Sequence, residues 1–459
     1  NIDKVFGGGG EVDGGAMKVR GSLMVMGTLI IRDCGTKNGD GGAIAVTQHF
    51  FHNGSISIIN SSGGRDGGSI YVKQNFIHSG GRISVQGSSA KVYGGAIYVK
   101  QNFNHTGGNI SVEGSSAGWS GGGGIYVNKD FTQSGGSLHV TNSSARKGSG
   151  GAIYVSNFNH TGGNISVEGS LAKKLGGAIY VSQFIQSGGS LVVMNSSAGD
   201  EGGAIYVGYW GTLGDFTHLG GSISVEGSSA GYGGAIRVMR HFIQSGGSLA
   251  VMNSSAQLSG GGLYVGGHMV FANAMATFSQ CHAGREGGGI NTLGNVSLTN
   301  ASLSFELATT DGRGAALMGY SLEQVGGRMT VYNSYASGDV IGVAAWAIDG
   351  GSFRIEHCKS NSALIAAKRG NLHATSFDVA NCSAAGMLVS SQVLLRNSVF
   401  NKTSFPQVRA LVVDVSNCTI AGSEAWISAE KAIVKDIDCD APFAAYYDEG
   451  DGLGCKSCE

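Results

Sequence analysis

Proline is nearly missing, with 2 residues in 459, while glycine reaches 81. Without a Gly-X-Y register, that balance excludes a collagen-like chain and a proline-rich linker. Charge is also sparse. Charged residues make up 13% and the formal net charge is −1, so no field suited to a phosphate backbone is present and no nucleic-acid partner is expected. No stretch approaches the roughly 18 to 20 uninterrupted apolar residues of a membrane span. The chain starts at Asn1 without a basic-then-apolar leader, so any signal peptide would be already removed or lie outside these residues. There is no nucleophile elbow and no HExxH, and the Gly-Gly pairs lack the Lys-Ser/Thr of a phosphate loop. These absences call for no catalytic residue, no cofactor and no metal.

What the chain has instead is a corner repeated twelve times. Gly14-Gly15-Ala16-Met17 returns as Gly41-Gly42-Ala43-Ile44, Gly94-Gly95-Ala96-Ile97 and Gly202-Gly203-Ala204-Ile205, with variants between and beyond. The large apolar residue of each unit runs Met17, Ile44, Ile70, Ile97, Ile125, Ile153, Ile179, Ile205, Ile236, Leu263, Ile290 and Leu317, a step of 26 to 28 residues broken once by 31. One coil of a solenoid per step is the reading, and the glycines are its corners. In the coil beginning at Gly94, Ala96–Val99 and Asn109–Glu113 alternate with period two and flank a short segment around Phe103. Three faces per turn predict an all-β, single-stranded parallel β-helix of about 16 coils of roughly 20 to 31 residues. The regular coils cover 14–320, shorter degenerate coils continue the β-helix to 440, and 441–459 form a tail.

The Gly-Gly-Ala-Ile corner, preceded by an Asn-Ser-Ser-Ala or Asn-Cys turn, resembles the polymorphic outer-membrane protein repeat of surface autotransporters and other exported proteins. The resemblance is strong over 14–320 and weak over 320–440. It implies a right-handed β-helix with an adhesive role. The family's Phe-x-x-Asn motif is replaced by runs such as Leu191-Val192-Val193-Met194-Asn195, which leaves the subfamily open. Cys455-Lys456-Ser457-Cys458-Glu459 looks like the start of a small cysteine-rich module.

Fourteen Asn-x-Ser/Thr sequons begin at Asn53, Asn60, Asn104, Asn109, Asn142, Asn159, Asn164, Asn195, Asn253, Asn295, Asn300, Asn381, Asn401 and Asn417. They are glycosylation candidates or, equally, turn chemistry copied by duplication. Cys34, Cys281, Cys358, Cys382 and Cys418 take the turn position held elsewhere by Ser143, Ser196 and Ser254. Cys439 fits the same place, so Cys358 with Cys382, and Cys418 with Cys439, are candidate disulfides, a buried thiol column being the alternative. Cys455 and Cys458 read as half of a disulfide framework.

Phe50, Phe76, Phe103, Phe131, Phe158, Phe184, Phe216 and Phe242 form one column, expected inside. His52, His78, His105, His160 and His218 share a position with Gln133, Gln186 and Gln244, which favours a polar turn ladder over a metal site. Tyr71, Tyr98, Tyr126, Tyr154, Tyr180, Tyr206 and Tyr264 form an outward column. Partly exposed rings there are the candidate binding surface, with cross-coil stacking for stability as the competing reading. The long coil adds Tyr209 and Trp210 on a loop. Asp and Glu are only 31 residues and scattered among turns. The function expected is a non-enzymatic extracellular or cell-surface spacer with an adhesive or self-assembling surface, its partners other copies, surface proteins or glycans. A carbohydrate-binding or polysaccharide-degrading β-helix is the alternative. An ice-binding hydroxyl ladder is a third reading, with Ser84, Ser111, Ser166 and Ser224 interrupted by His139 and Val192.

Overall fold

A computed structural model describes residues 13–209 and 214–367 in full, together with Cys382 and Ala384, and elsewhere only the backbone of several strands. Trp210, Asn381 and Cys458, and the side chains of Asn401, Asn417, Cys418, Cys439 and Cys455, lie outside the described residues. The protein is an all-β parallel β-solenoid of about 13 turns. That is somewhat fewer than the 16 expected. Two compact units divide the chain, Asn1–Arg240 and His241–Glu459.

In the first unit a regular coil carries four strands. The coil beginning at Gly94 contributes Ile97–Val99, Phe103–His105, Asn109–Glu113 and Ser116–Ala117. The last, two residues long, has too little alternation to be legible in sequence. A strand this short cannot satisfy its own backbone, so each pairs in parallel with its counterparts in the coils before and after. Ile97 registers with Ile70 and Ile125, Phe103 with Phe76 and Phe131, Ile110 with Ile83 and Leu138, and Ala117 with Ala90 and Ala145. Three coils fuse the first two strands into one, as in Ile153–His160.

In-register stacking turns every apolar position into a buried column. Ile97, Val99, Phe103, Ile110, Val112 and Ala117 are all at most 1% exposed. The phenylalanine rings stack face to face at 4.5 to 5.0 Å from Phe50 to Phe216, except for an edge contact between Phe158 and Phe184 at 5.5 Å. Removing one such ring opens a cavity worth about 3 to 5 kcal/mol. The corner itself needs glycine twice: Gly94 sits at φ 61°, and a Cβ on Gly95 would strike the carbonyl oxygen of Gly123 in the next coil.

The second unit repeats the plan. Leu263 registers with Ile290, Ile290 with Leu317, Leu317 with Ile341 and Ile341 with Ile365, all in parallel and with shorter coils toward the end. Phe278 and Phe305 stack at 5.4 Å. Farther along, Phe443–Asp448 and Gly452–Ser457 pair antiparallel.

A second corner follows the third strand of each coil, at a left-handed backbone position. Gly87, Gly114, Gly169 and Gly227 occupy it with φ near 60°, and Asn60, Asn142, Asn195, Asn253 and Asn300 occupy it with φ of 47 to 53°. Glycine, then asparagine, enter that region at least cost, although Asp33, Gln280, Leu307 and His357 hold it in other coils. The alternation of Gly-Ser-Ser with Asn-Ser-Ser is therefore favoured by the turn. Asn142→Gly is expected to leave stability within a few tenths of a kcal/mol, and Asn142→Ala to lower it by about 1 kcal/mol. Urea denaturation of the two variants checks both.

Candidate functional site

The tyrosine column is stacked as expected but not presented. From Tyr71 to Tyr206 the rings lie parallel with centroids 4.5 to 5.3 Å apart. Tyr98, Tyr126, Tyr180 and Tyr206 are at most 8% exposed, and Tyr71 and Tyr154 are half-buried. This corrects the expectation of an open aromatic surface. The cause is the residue just before each Gly-Gly pair, which folds back over the ring. Tyr93 packs on Tyr126 at 4.6 Å, and the place of Gly121 is so close that a Cβ there would press on the Tyr154 ring. Where the column changes residue type, the roof changes with it: Lys18 pairs with Asp13 at 3.2 Å, and Arg237 with Glu201 at 2.8 Å. Burial pushes the hydroxyls of Tyr71, Tyr154 and Tyr206 up to about 12. Tyr264, in the second unit, is half-buried.

Two grooves run along the turns that make this roof. One, of about 440 Å³, has a floor of small hydroxyl residues, Ser62, Ser89 and Ser116, and a rim of Lys91, Arg146 and Lys147. The other, of about 420 Å³, lies between Lys147, Lys174 and Asp200 with Tyr154, Tyr180 and Tyr209 beside it. Trp119 belongs to both. It is 66% exposed, and the Lys147 Nζ sits 4.0 Å from its ring centroid. Tyr209, a sequence candidate, is 51% exposed at the second groove. Trp119 was missed in sequence because it stands alone, with no partner at its repeat position.

The histidine and glutamine column faces the interior. His52, His78, His105, Gln133, His160, Gln186 and His218 follow one another in register, each at most 1% exposed. The glutamines donate to carbonyls of the next coil, Gln133 Nε2 to Asn164 O at 3.1 Å and Gln186 Nε2 to Ser222 O at 3.0 Å. His105 and His160 meet Gly108 O and Gly163 O at 3.3 Å, whereas both ring nitrogens of His52 and His78 are buried without a hydrogen bond. Among the described residues no group of three or more His, Cys, Asp or Glu is placed to hold a metal.

The cysteines do share the serine position, and the reason is a hydrogen bond. Ser143, Ser196 and Ser254 are buried and donate to the carbonyl two residues back, at 3.0 to 3.3 Å. Cys34, Cys281 and Cys358 do the same through sulfur at 3.1 to 3.5 Å. No disulfide joins Cys358 to Cys382, which corrects that pairing; the Cys382 sulfur instead accepts from the Cys358 amide at 3.3 Å. Burial drives the Cys281 thiol up to about 12, and thiol contact with Cys382 and burial raise that of Cys358.

Three carboxylates do converge, at Asp13, Asp40 and Asp66. The Asp40 amide donates to Asp13, the Asp66 amide donates to Asp40, and Arg65 donates to both oxygens of Asp40. Asp40 is 2% and Asp66 8% exposed. Burial, then the charge of Asp40, pushes Asp66 up to about 6. They clasp successive corners and line neither of the two grooves above. Of the described sequons, Asn104 is half-buried and the other ten asparagines are exposed. The ladder Ser84, Ser111, His139, Ser166, Val192, Ser224 is one column in register, its hydroxyls broken at His139 and Val192.

Comparison with family models, curated proteins and solved structures gives no match to this chain. The structure supports the parallel solenoid that the repeat resemblance implied, and no family is shown.

Burial lowers the His52 imidazole to about 4 and His78 to about 3, and lowers His105, His160 and His218 as well. The unfolded chain, at 6.5, takes up protons first as pH falls. These residues therefore leave stability intact above about 6.5 and withdraw it on descent toward 4 to 3. Asp66, raised to about 6, acts with the opposite sign over part of that range. The readout is thus a difference: the melting temperature of the wild type is expected to fall more steeply below pH 6.5 than that of His52→Gln/His78→Gln/His105→Gln, whose glutamines copy Gln133. Parallel slopes would refute it.

Proposed function

We propose that the chain is a non-enzymatic, extracellular or cell-surface β-solenoid that holds an adhesive face on a stiff spacer, with glycans, surface proteins or further copies of itself as partners. The observation that carries this reading is the pair of grooves around exposed Trp119 and Tyr209, set on turns fixed by coils with fully buried columns. Large, stiff aromatic side chains supply contact area at low entropic cost, and a solenoid keeps them at fixed spacing. Polysaccharide cleavage would require carboxylates facing a substrate at about 5 to 10 Å. The convergent trio Asp13, Asp40 and Asp66 is engaged with Arg65 and backbone amides instead.

Beads coated with the protein should adhere to glycan-bearing cells or to each other. Trp119→Ser/Tyr209→Ser should weaken that adhesion at least about 30-fold, since losing even one aromatic anchor of about 2 kcal/mol has that effect. Circular dichroism should remain unchanged. Adhesion equal to that of the wild type would remove this face from consideration, and release of reducing ends from a polysaccharide by the wild type would replace the reading with an enzymatic one.

A further inference from the structure

The turn that follows the two-residue strand carries charge of one sign in three of four consecutive coils, with a tryptophan in the remaining one. Ala90, Ala117, Ala145 and Ala172 are stacked in register. The residues directly after them bring Lys91, then Trp119, then Arg146 and Lys147, then Lys173 and Lys174. No Asp or Glu occurs in 89–93, 116–121, 144–149 or 171–175. All five cations are exposed, and none makes an ion pair among the described residues. The same turn elsewhere behaves differently: Arg65 is held by Asp40, and Arg313 by Asp339 at 3.0 Å. Stacking Arg146 and Lys147 one coil, about 4.8 Å, from Lys173 and Lys174 costs free energy, and within these four turns no carboxylate offsets it; Asp200 stands in the following coil, at the second groove. In a chain of net charge −1 the strip is a local feature and not the product of a basic composition.

We propose that this strip is a binding site for a linear acidic polysaccharide, one bearing sulfate or carboxylate groups. The proposal rests on the adhesive reading above and names its ligand. Charge complementarity supplies the anion: Lys91, Arg146 and Lys147 line the groove of about 440 Å³ on either side of the Trp119 coil, and Lys147 and Lys174 carry the charge into the second groove as far as Asp200. The floor favours sugar. Ser62, Ser89 and Ser116 offer hydroxyl partners to a polyhydroxylated chain, and the indole of Trp119 offers an apolar face for C–H groups beside the Lys147 charge. Lys91 is braced at the rim by donating to Lys37 O at 3.0 Å. Five cations confined to four turns suit a short run of anionic sugars better than a nucleic acid, which draws its affinity from an extended field of phosphate contacts.

Isothermal titration of the full chain with heparin, polygalacturonate and neutral dextran tests the idea, with a single-stranded oligonucleotide and phosphatidylserine vesicles as further arms. Expected is binding to heparin, polygalacturonate or both, the pair separating sulfate from carboxylate recognition. Binding should weaken with salt, and dextran should not bind. Lys91→Gln/Arg146→Gln/Lys147→Gln/Lys174→Gln should lower affinity at least about tenfold. Trp119→Ala should lower it by a further several-fold. The equally neutralising Arg20→Gln/Lys73→Gln/Arg82→Gln/Lys129→Gln, at exposed positions off the strip, should change it little, and circular dichroism reports the fold of each. Binding to neither acidic polysaccharide, binding only to the oligonucleotide or vesicles, or affinity unaltered in the strip variant would each overturn the proposal. If coated beads still adhere in any of those cases, the ligand assignment fails and the adhesive reading stands; if they do not, both fail.

Discussion

The backbone hydrogen bond from one coil to the next is the constraint on which everything else rests. Strands of two to five residues have no stability alone, so each amide and carbonyl must find its partner one coil away. That requirement locks the register. With the register locked, a residue chosen at one position is repeated against itself, which is why phenylalanine stacks on phenylalanine and tyrosine on tyrosine. It also dictates where side chains are forbidden. Corner carbonyls of adjacent coils approach so closely that only glycine passes.

The fold was legible because its period is written in large, regular units. Gly-Gly-Ala-Ile marks a corner, the alternation in Asn109–Glu113 marks a strand, and the phenylalanine spacing marks an interior column. The face of the tyrosines was read less well. Alternation along Ile97–Val99 correctly sets Tyr98 opposite its neighbours, but it says nothing of a turn folding over that side. The roof comes from Tyr93 and its counterparts, five residues before each tyrosine and variable in type: Asp66, Gly121, Ser149, Leu175. Variable positions leave no periodic trace. Trp119 escaped for a related reason, since a single aromatic in a non-repeating turn has nothing to be compared with.

The interior histidines show a third kind of limit. Free exchange with glutamine suggested a polar position near a turn. In fact the position is the buried end of the Phe103–His105 strand, where two different amide or imidazole groups reach carbonyls of the coil's own turn. Exchange between chemically unlike side chains signalled shared hydrogen-bond geometry and not exposure. The acid sensitivity expected of the first unit follows from placing imidazole where charge has no partner.

The buried turn position occupied by either serine or cysteine carries a wider consequence. Oxygen and sulfur donate to the same carbonyl there, and both fit within the coil. A single-nucleotide change can therefore exchange one for the other with little mechanical effect. Thiol content in such a chain is free to change at this position without loss of the fold, and the tally of its cysteines carries little information about whether its surroundings are oxidising or reducing.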